Sequence, residues 1–359
     1  MPFAALASSH PSPAGQGSMR GLLGLTASVL VALACTPALA ADHSWMSDKA
    51  LVDAAKKEGT VAIWSSINED EQNPQIAAFT DATGIKVDYI RGADAPLMSR
   101  MAIEKRAGKE SWDDFQIQAV HSVPKEWLMQ FTPSEAAALL PQARDPDKRY
   151  YGTYLVFHTP AYNTTKVKKE DLPKSYEDFA KHPEWKGHIA LDYTDRDWYA
   201  GFIQGMGEAK GGKIMAEIVD KLEPTLYKGH LALARALGSG EYWLNLNNYL
   251  NLVLNVKLAK DPVDWWILEP VVTSMGEIGI NAKAPHPNAA KLLANFLISG
   301  EAQQMRTKWG RIPSRPDIES NPPGILKAFE GKKTITPHLS PADDQKWQKE
   351  FNKVFKAQG

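Results

Sequence analysis

At 359 residues the chain has room for two or three domains. With 43% hydrophobic and 23% charged residues it has the composition of a globular protein with a sizeable core. Its 41 basic and 42 acidic side chains leave a net charge of −1 and form no basic run or acidic tail. That argues against nucleic acid or an anionic membrane surface as the main partner.

Arg20 precedes the apolar stretch GLLGLTASVLVALACTPALA, which ends in Ala38-Leu39-Ala40. A positive start, a short apolar core and an A-x-A site are the pattern of a secretory signal peptide, so cleavage after Ala40 is expected. The stretch is too short and interrupted for a membrane-spanning helix, which needs about 20 apolar residues. Residues 1–18 read as an upstream extension, with Met19 as the start. Cys35, the single cysteine, lies in this leader. "LAC" faintly suggests a lipidation site, but Ala32 stands where a larger aliphatic residue is preferred. Cleavage leaves a mature chain with no disulfide and no thiolate chemistry.

The mature chain opens with SDKALVDAAKKEG, where Ser47 is placed to cap a helix and Gly59 to stop it. TVAIWS reads as a buried strand, and a helix follows from Glu69 to Ala82. IKVDYI alternates as a half-buried strand, Asp94 and Pro96 open another helix ending at Gly108, and DDFQIQA is the next strand. This alternation predicts a parallel sheet covered by helices. After the loop LLPQARDPDKR a second cycle begins. GTYLVFHTPAYN is strand-like, SYEDFAKHPEWKG holds a capping box from Ser175 to Asp178, and HIALDY is a strand. DRDWYAGFIQGMGEAKGG reads as one helix with a Gly-rich end, and EYWLNLNN as a strand running into a helix. VDWWIL and GEIGINAK are the last expected strands, and the chain is mostly helical from Pro287.

Four stretches resemble the ferric-binding branch of bacterial periplasmic solute-binding proteins: EGTVAIWSS, AYNTTKVKKEDLPKSYEDFAKHPEWKGHIAL, APHPNAAKLLANFLISGEAQQ and GRIPSRPDI. The resemblance implies a type II periplasmic binding fold, two α/β domains joined by a two-crossing hinge with a ligand cleft between them. Domain one is expected at 42–153 plus 283–359 and domain two at 154–282, with hinges near Gly152–Thr159 and Gly279–Lys283. In ferric-binding relatives an Asn-Asn-Tyr-Tyr turn, a His and a Glu meet the iron. Here Asn247, Asn248 and Tyr249 fit, but Leu250, Asn68 and Gln118 stand at the other ligand places. Ferric iron prefers anionic oxygen donors, so the metal site is expected to be lost, with Tyr249 the one remaining donor if iron does bind.

Other candidates come from strand-to-helix turns, where N–H groups face a ligand. Trp64, Ser65 and Ser66 end the first strand; the plainer reading is a core tryptophan and a capping serine. In DYTDRDWYAG, Thr194, Arg196 and Trp198 offer a hydroxyl, a bidentate cation for an anion and a stacking surface. The plainer reading is a solvated turn capped by Asp195 or Asp197. Trp265-Trp266 reads as core or hinge packing, and His182 and His188 as surface loop.

The resulting expectation is a periplasmic receptor of an ABC importer. It binds a small polar, anionic organic molecule by domain closure and delivers it, as a monomer, to an inner-membrane permease. No cofactor and no nucleic acid are expected. Iron(III) capture is the alternative, and a secreted α/β hydrolase or lyase the remote one, since no G-x-S-x-G, H-E-x-x-H or comparable motif occurs.

Overall fold

The computed structural model describes residues 43–356, apart from 338 and 340. The leader, its cleavage site and Cys35 lie outside the described residues.

The first half follows the strand–helix alternation. Helix α1 (Lys49–Glu58) is capped by Asp48, whose carboxylate accepts the Leu51 N–H at 3.0 Å, one residue later than the Ser47 cap expected. Then come β1 (Thr60–Ser65), α2 (Glu69–Thr83), β2 (Lys86–Arg91), α3 (Asp94–Ala107) and β3 (Asp114–Ile117). After a run of short turns the chain enters β4 (Tyr150–Asn163), a 14-residue strand.

The second half holds α4 (Tyr176–Phe179), β5 (Ile189–Asp192), α5 (Arg196–Met206) and α6 (Glu208–Leu222). The single helix expected over this last span is therefore two, because Gly207 sits at φ +84, outside helical space. The strand β6 (Thr225–Tyr227) and helix α7 (His230–Ser239) were not anticipated. Next come β7 (Leu244–Tyr249), α8 (Leu250–Leu258), β8 (Val263–Trp265) and the long β9 (Val271–Ile280). The chain ends with α9 (Pro287–Leu297), α10 (Gly300–Arg306), α11 (Ile325–Ala328), β10 (Thr334–Ile335) and α12 (Pro341–Phe355).

The strands lie in one sheet, in the order β2-β1-β3-β9-β4-β7-β5-β6. At one end β1 pairs in parallel with β2 and β3; at the other β5 pairs in parallel with β6 and β7. Between these parallel groups β4 and β9 run antiparallel, from Tyr150 opposite Gly279 to His158 opposite Val272, with a shift of register between Gly152 and Tyr154. Parallel strands need crossover helices, and these bury each group on its own apolar core. One core gathers Trp45, Phe79 and Phe296, the Trp45 and Phe296 ring centroids being 4.9 Å apart. The other gathers Tyr176, Trp198 and Phe202. Two α/β halves linked by two long strands are the architecture the sequence led us to expect.

One segment joins the opposite half from the rest of its stretch. The C-terminal α12, placed with residues 283–359 in the first domain, packs Trp347, Phe351 and Phe355 around Tyr199 of α5, with centroids 6.0–6.1 Å apart. Its aromatic face matches the apolar surface of α5 and α6, which would otherwise be open to water.

Candidate functional site

The turns that end β1, β5 and β7 converge where the two halves meet. Ile67, just after β1, packs on Tyr154 and Val156 of β4, and Tyr249 at the end of β7 packs against the same group. The floor of the cleft is therefore made from both halves and the crossing strand. Tyr154 comes so close to β9 that a Cβ on Gly276 would lie 2.1 Å from its ring, which is why a residue without a side chain is needed there. The guanidinium of Arg311 sits 4.3 Å from the Tyr154 ring centroid and forms a bidentate pair with Glu71, both groups buried.

Tyr249 lies between two histidines. The His230 ring stacks on it at 3.8 Å, and His158 of β4 meets it edge-on at 4.9 Å. Burial holds His158 down to about 3 and His230 down to about 4, so both rings are neutral near pH 7. Burial also pushes the Tyr249 phenol far above its ordinary range, and the charges of Asp197, Asp195, Asp192 and Asp94 push it further. Three of those carboxylates cluster at the start of α5. Asp192 accepts the Thr194 N–H and hydroxyl and the Gly229 N–H, and Asp195, wholly buried, lies 3.4 Å from the His230 ring nitrogen. The fourth, Asp94, opens α3 in the first half and accepts the Gln118 N–H at 3.0 Å and the Ser66 hydroxyl. Burial and the charge of Asp197 both raise its pKa.

The structure brings most of the expected residues together. Ser66 and Gln118 orient Asp94. Thr194 and Arg196 flank the buried Asp195. Asn247 is fully buried against Asp195 and His158, and the Asn248 amide donates to the His230 carbonyl at 3.2 Å. Asn68 is exposed at the start of α2 and accepts from Arg91 at 3.0 Å. Ser65 is buried and turned inward, accepting the Ile67 N–H at 3.1 Å and donating to Gln116 at 3.3 Å, so it shapes the turn from within.

Two candidates need correction. Trp64 is buried beside Trp112 in the core behind β1, with the Arg100 guanidinium 4.2 Å over its ring. Trp198 is buried against Tyr176 and Phe202. Both indoles face the helix layers instead of the cleft, because the first apolar residue inside such a turn is drawn to the core. His182 and His188 stack on Trp185 and Trp243, each at 3.9 Å. The sequence reading overlooked Asp94, Asp192, His158 and His230 as site residues. Gly229 before His230 and Gly240 after α7 were the available signals for one more strand-to-helix turn.

The fold is that of a type II periplasmic binding protein. The solved structure of the periplasmic binding protein AfuA from Actinobacillus pleuropneumoniae, with exogenous fructose-6-phosphate bound, superposes with a TM-score of 0.68 at 19% identity, over 84% of this chain and 99% of that one. The model of the family of bacterial extracellular solute-binding proteins matches residues 75–328, and the chain belongs to that family. It is a solute-binding receptor of the kind that serves ABC importers, and the family and its neighbours are binding proteins. The Fe(3+)-binding periplasmic protein of Serratia marcescens is 28% identical over 197 residues, 52% of this chain and only 56% of that relative's length. The putative 2-aminoethylphosphonate-binding periplasmic protein of Salmonella paratyphi A is 27% identical over 311 residues, 77% of this chain and 86% of that one.

Proposed function

We propose that the protein is a periplasmic receptor that captures a small polar organic solute bearing an anionic group in the cleft around Tyr249. It hands the closed, loaded form to an inner-membrane permease. The observation that carries this reading is the meeting of turns from both halves on Tyr154, Val156 and Tyr249, so that binding and closure are one event. Arg196, in the first turn of α5, supplies positive charge for the anionic group, and Asn248 and Tyr249 orient the rest. The relatives named for a phosphonate and crystallised with a sugar phosphate support an anionic solute. Export with cleavage after Ala40, a monomeric state and domain limits near 154 and 282 belong to the same proposal. The protein purified from its native periplasm and then denatured should release a small organic anion detectable by mass spectrometry. Release of ferric iron alone would replace this reading with iron capture.

A further inference from the structure

The chain passes between the halves a third time, behind β4. Side chains alternate along a strand, so Tyr154 and Val156 face the cleft while Leu155 and Phe157 face away from it. The C-terminal segment 312–337 runs over that far face. Its first tie is to the hinge strand, where the Leu155 N–H donates to the Ile312 carbonyl at 2.8 Å and the Ser314 hydroxyl to the Gly152 carbonyl at 2.7 Å. At its other end β10 pairs in parallel with β9 at Val271 and Val272, and the Thr273 and Thr336 hydroxyls lie 2.7 Å apart. Lys333 Nζ donates to the Gly205 carbonyl of α5 at 2.6 Å, and α12 then packs on Tyr199 in the second half.

Between these ties the segment stands off β4. A cavity of about 450 Å³ lies there, lined among others by Leu140, Leu155, Phe157, Ile318 and Leu326. Phe329 also lines it, and its ring stacks on Phe157 at 3.9 Å, 14° from parallel, and on Trp265 of β8 at 5.7 Å, 11° from parallel. A β ladder fixes register through directional bonds, whereas apolar rings in parallel contact can slide, because the attraction between them is non-directional. Rotation that closes the front of a two-strand hinge must also change the spacing at its back. A close-packed interior resists that change, and a cavity gives it room.

We propose that residues 312–337 are a strap across the back of the hinge that limits how far the halves rotate, with Phe329 as its sliding contact and the cavity as its clearance. The affinity of a two-state receptor depends on how often the closed form is populated without solute, as well as on the contacts made to the solute. The strap therefore tunes binding from a face opposite to the cleft. The inference rests on rotation of the two halves and not on which solute is held, so it stands or falls apart from the anionic reading.

The described residues hold no cysteine, so Lys109→Cys after α3 and Lys213→Cys on α6, both at exposed positions, place one spin label on each half of the mature chain. Pulsed dipolar spectroscopy of the dialysed protein, with no solute added, reads the distribution of distances between them. Phe329→Leu keeps apolar fill but loses the stack, and should widen the distribution. Leu326→Trp fills the clearance, and should narrow it. Phe79→Leu, the same change beside Trp45 and Phe296 in the first-half core, should leave it as it is. Either strap variant with a distribution that matches the wild type, or moves the other way, overturns the inference. So does a widening in Phe79→Leu as large as that in Phe329→Leu, because any loss of packing would then loosen the halves. Thermal melts run alongside: a Phe329→Leu protein that is less stable with an unchanged distribution marks Phe329 as an ordinary core ring and sinks the strap.

Discussion

The Tyr249 ring stacks on that of His230, with centroids 3.8 Å apart and planes 22° from parallel. An imidazole held neutral by burial stacks on a phenol without bringing a charge to it, and the carboxylates behind oppose its ionisation. Burial and those charges favour the neutral phenol of Tyr249. A ferric ligand would have to be the phenolate.

The first prediction follows from that pairing. Protein mixed with ferric citrate should show little tyrosinate-to-iron colour in the visible, because Leu250, Asn68 and Gln118 are the residues expected at the other donor places from the family resemblance. An intense band that disappears in Tyr249→Phe would establish iron as the cargo.

How much of this was legible in the sequence depends on which physical signal each residue carried. The α/β alternation, the capping box at Ser175 and the turn at Asn247–Tyr249 were readable, because periodicity and capping are local. The floor of the cleft was not. Ile67, Tyr154 and Tyr249 are far apart in the chain, and only the pairing of β4 with β7 and β9 brings them together. Trp64 and Trp198 show the opposite error. An aromatic beside a strand end carries the same local signature whether it faces a ligand or the core, and burial decides between them. Asp94 reads as a helix opener from the sequence, but its place against the Gln118 N–H and the Ser66 hydroxyl depends on β1 and β3 lying side by side.

The second prediction concerns Arg196. Arg196→Ala should weaken binding of the co-purified solute at least about tenfold, since a desolvated charge-assisted pair is worth roughly 2–5 kcal/mol when truncated. The ligand-free melting temperature should move little, because Arg196 is half-buried in an end turn and outside both cores. Titration calorimetry beside a thermal melt separates the two effects. Unchanged affinity would leave the DYTDRDWYAG turn without a role in binding.

The third prediction is a pH dependence. His158 titrates near 3 in the fold because burial disfavours its charged form, whereas an unfolded histidine titrates near 6.5. The unfolded chain therefore takes up a proton that the folded chain refuses. The stability His158 contributes is complete above about pH 6.5 and is lost as pH falls toward 3, by an amount on the order of 3–5 kcal/mol. His230, held near 4, acts in the same direction. Asp94, Asp195 and Asp197, with raised values, oppose it, because the folded form keeps their protons to higher pH. Comparing wild type with His158→Gln between pH 7 and 4.5 isolates the one group. The wild type should lose stability more steeply on acidification, and parallel curves would sink the assignment.

The fourth prediction concerns the brace under the cleft. Arg311 Nε and Nη2 each lie 3.0 Å from a Glu71 oxygen, and the pair joins α2 to the segment after α10 beside Tyr154. Two buried charges satisfy each other at a desolvation cost, so their net contribution is small, but removing one strands the other. Arg311→Met alone should cost roughly 3–5 kcal/mol of folding stability, because Glu71 is left charged and dry. Glu71→Gln with Arg311→Met should cost clearly less than Arg311→Met alone, since no stranded charge remains. The Tyr154 ring also loses the cation over its face, so both variants should bind the solute more weakly even where stability is regained. Urea titrations of both single variants and the double variant, completed as a thermodynamic cycle, measure the coupling. A double variant as unstable as the sum of the singles would mean that Glu71 and Arg311 act independently, and that the floor of the cleft is held by packing alone.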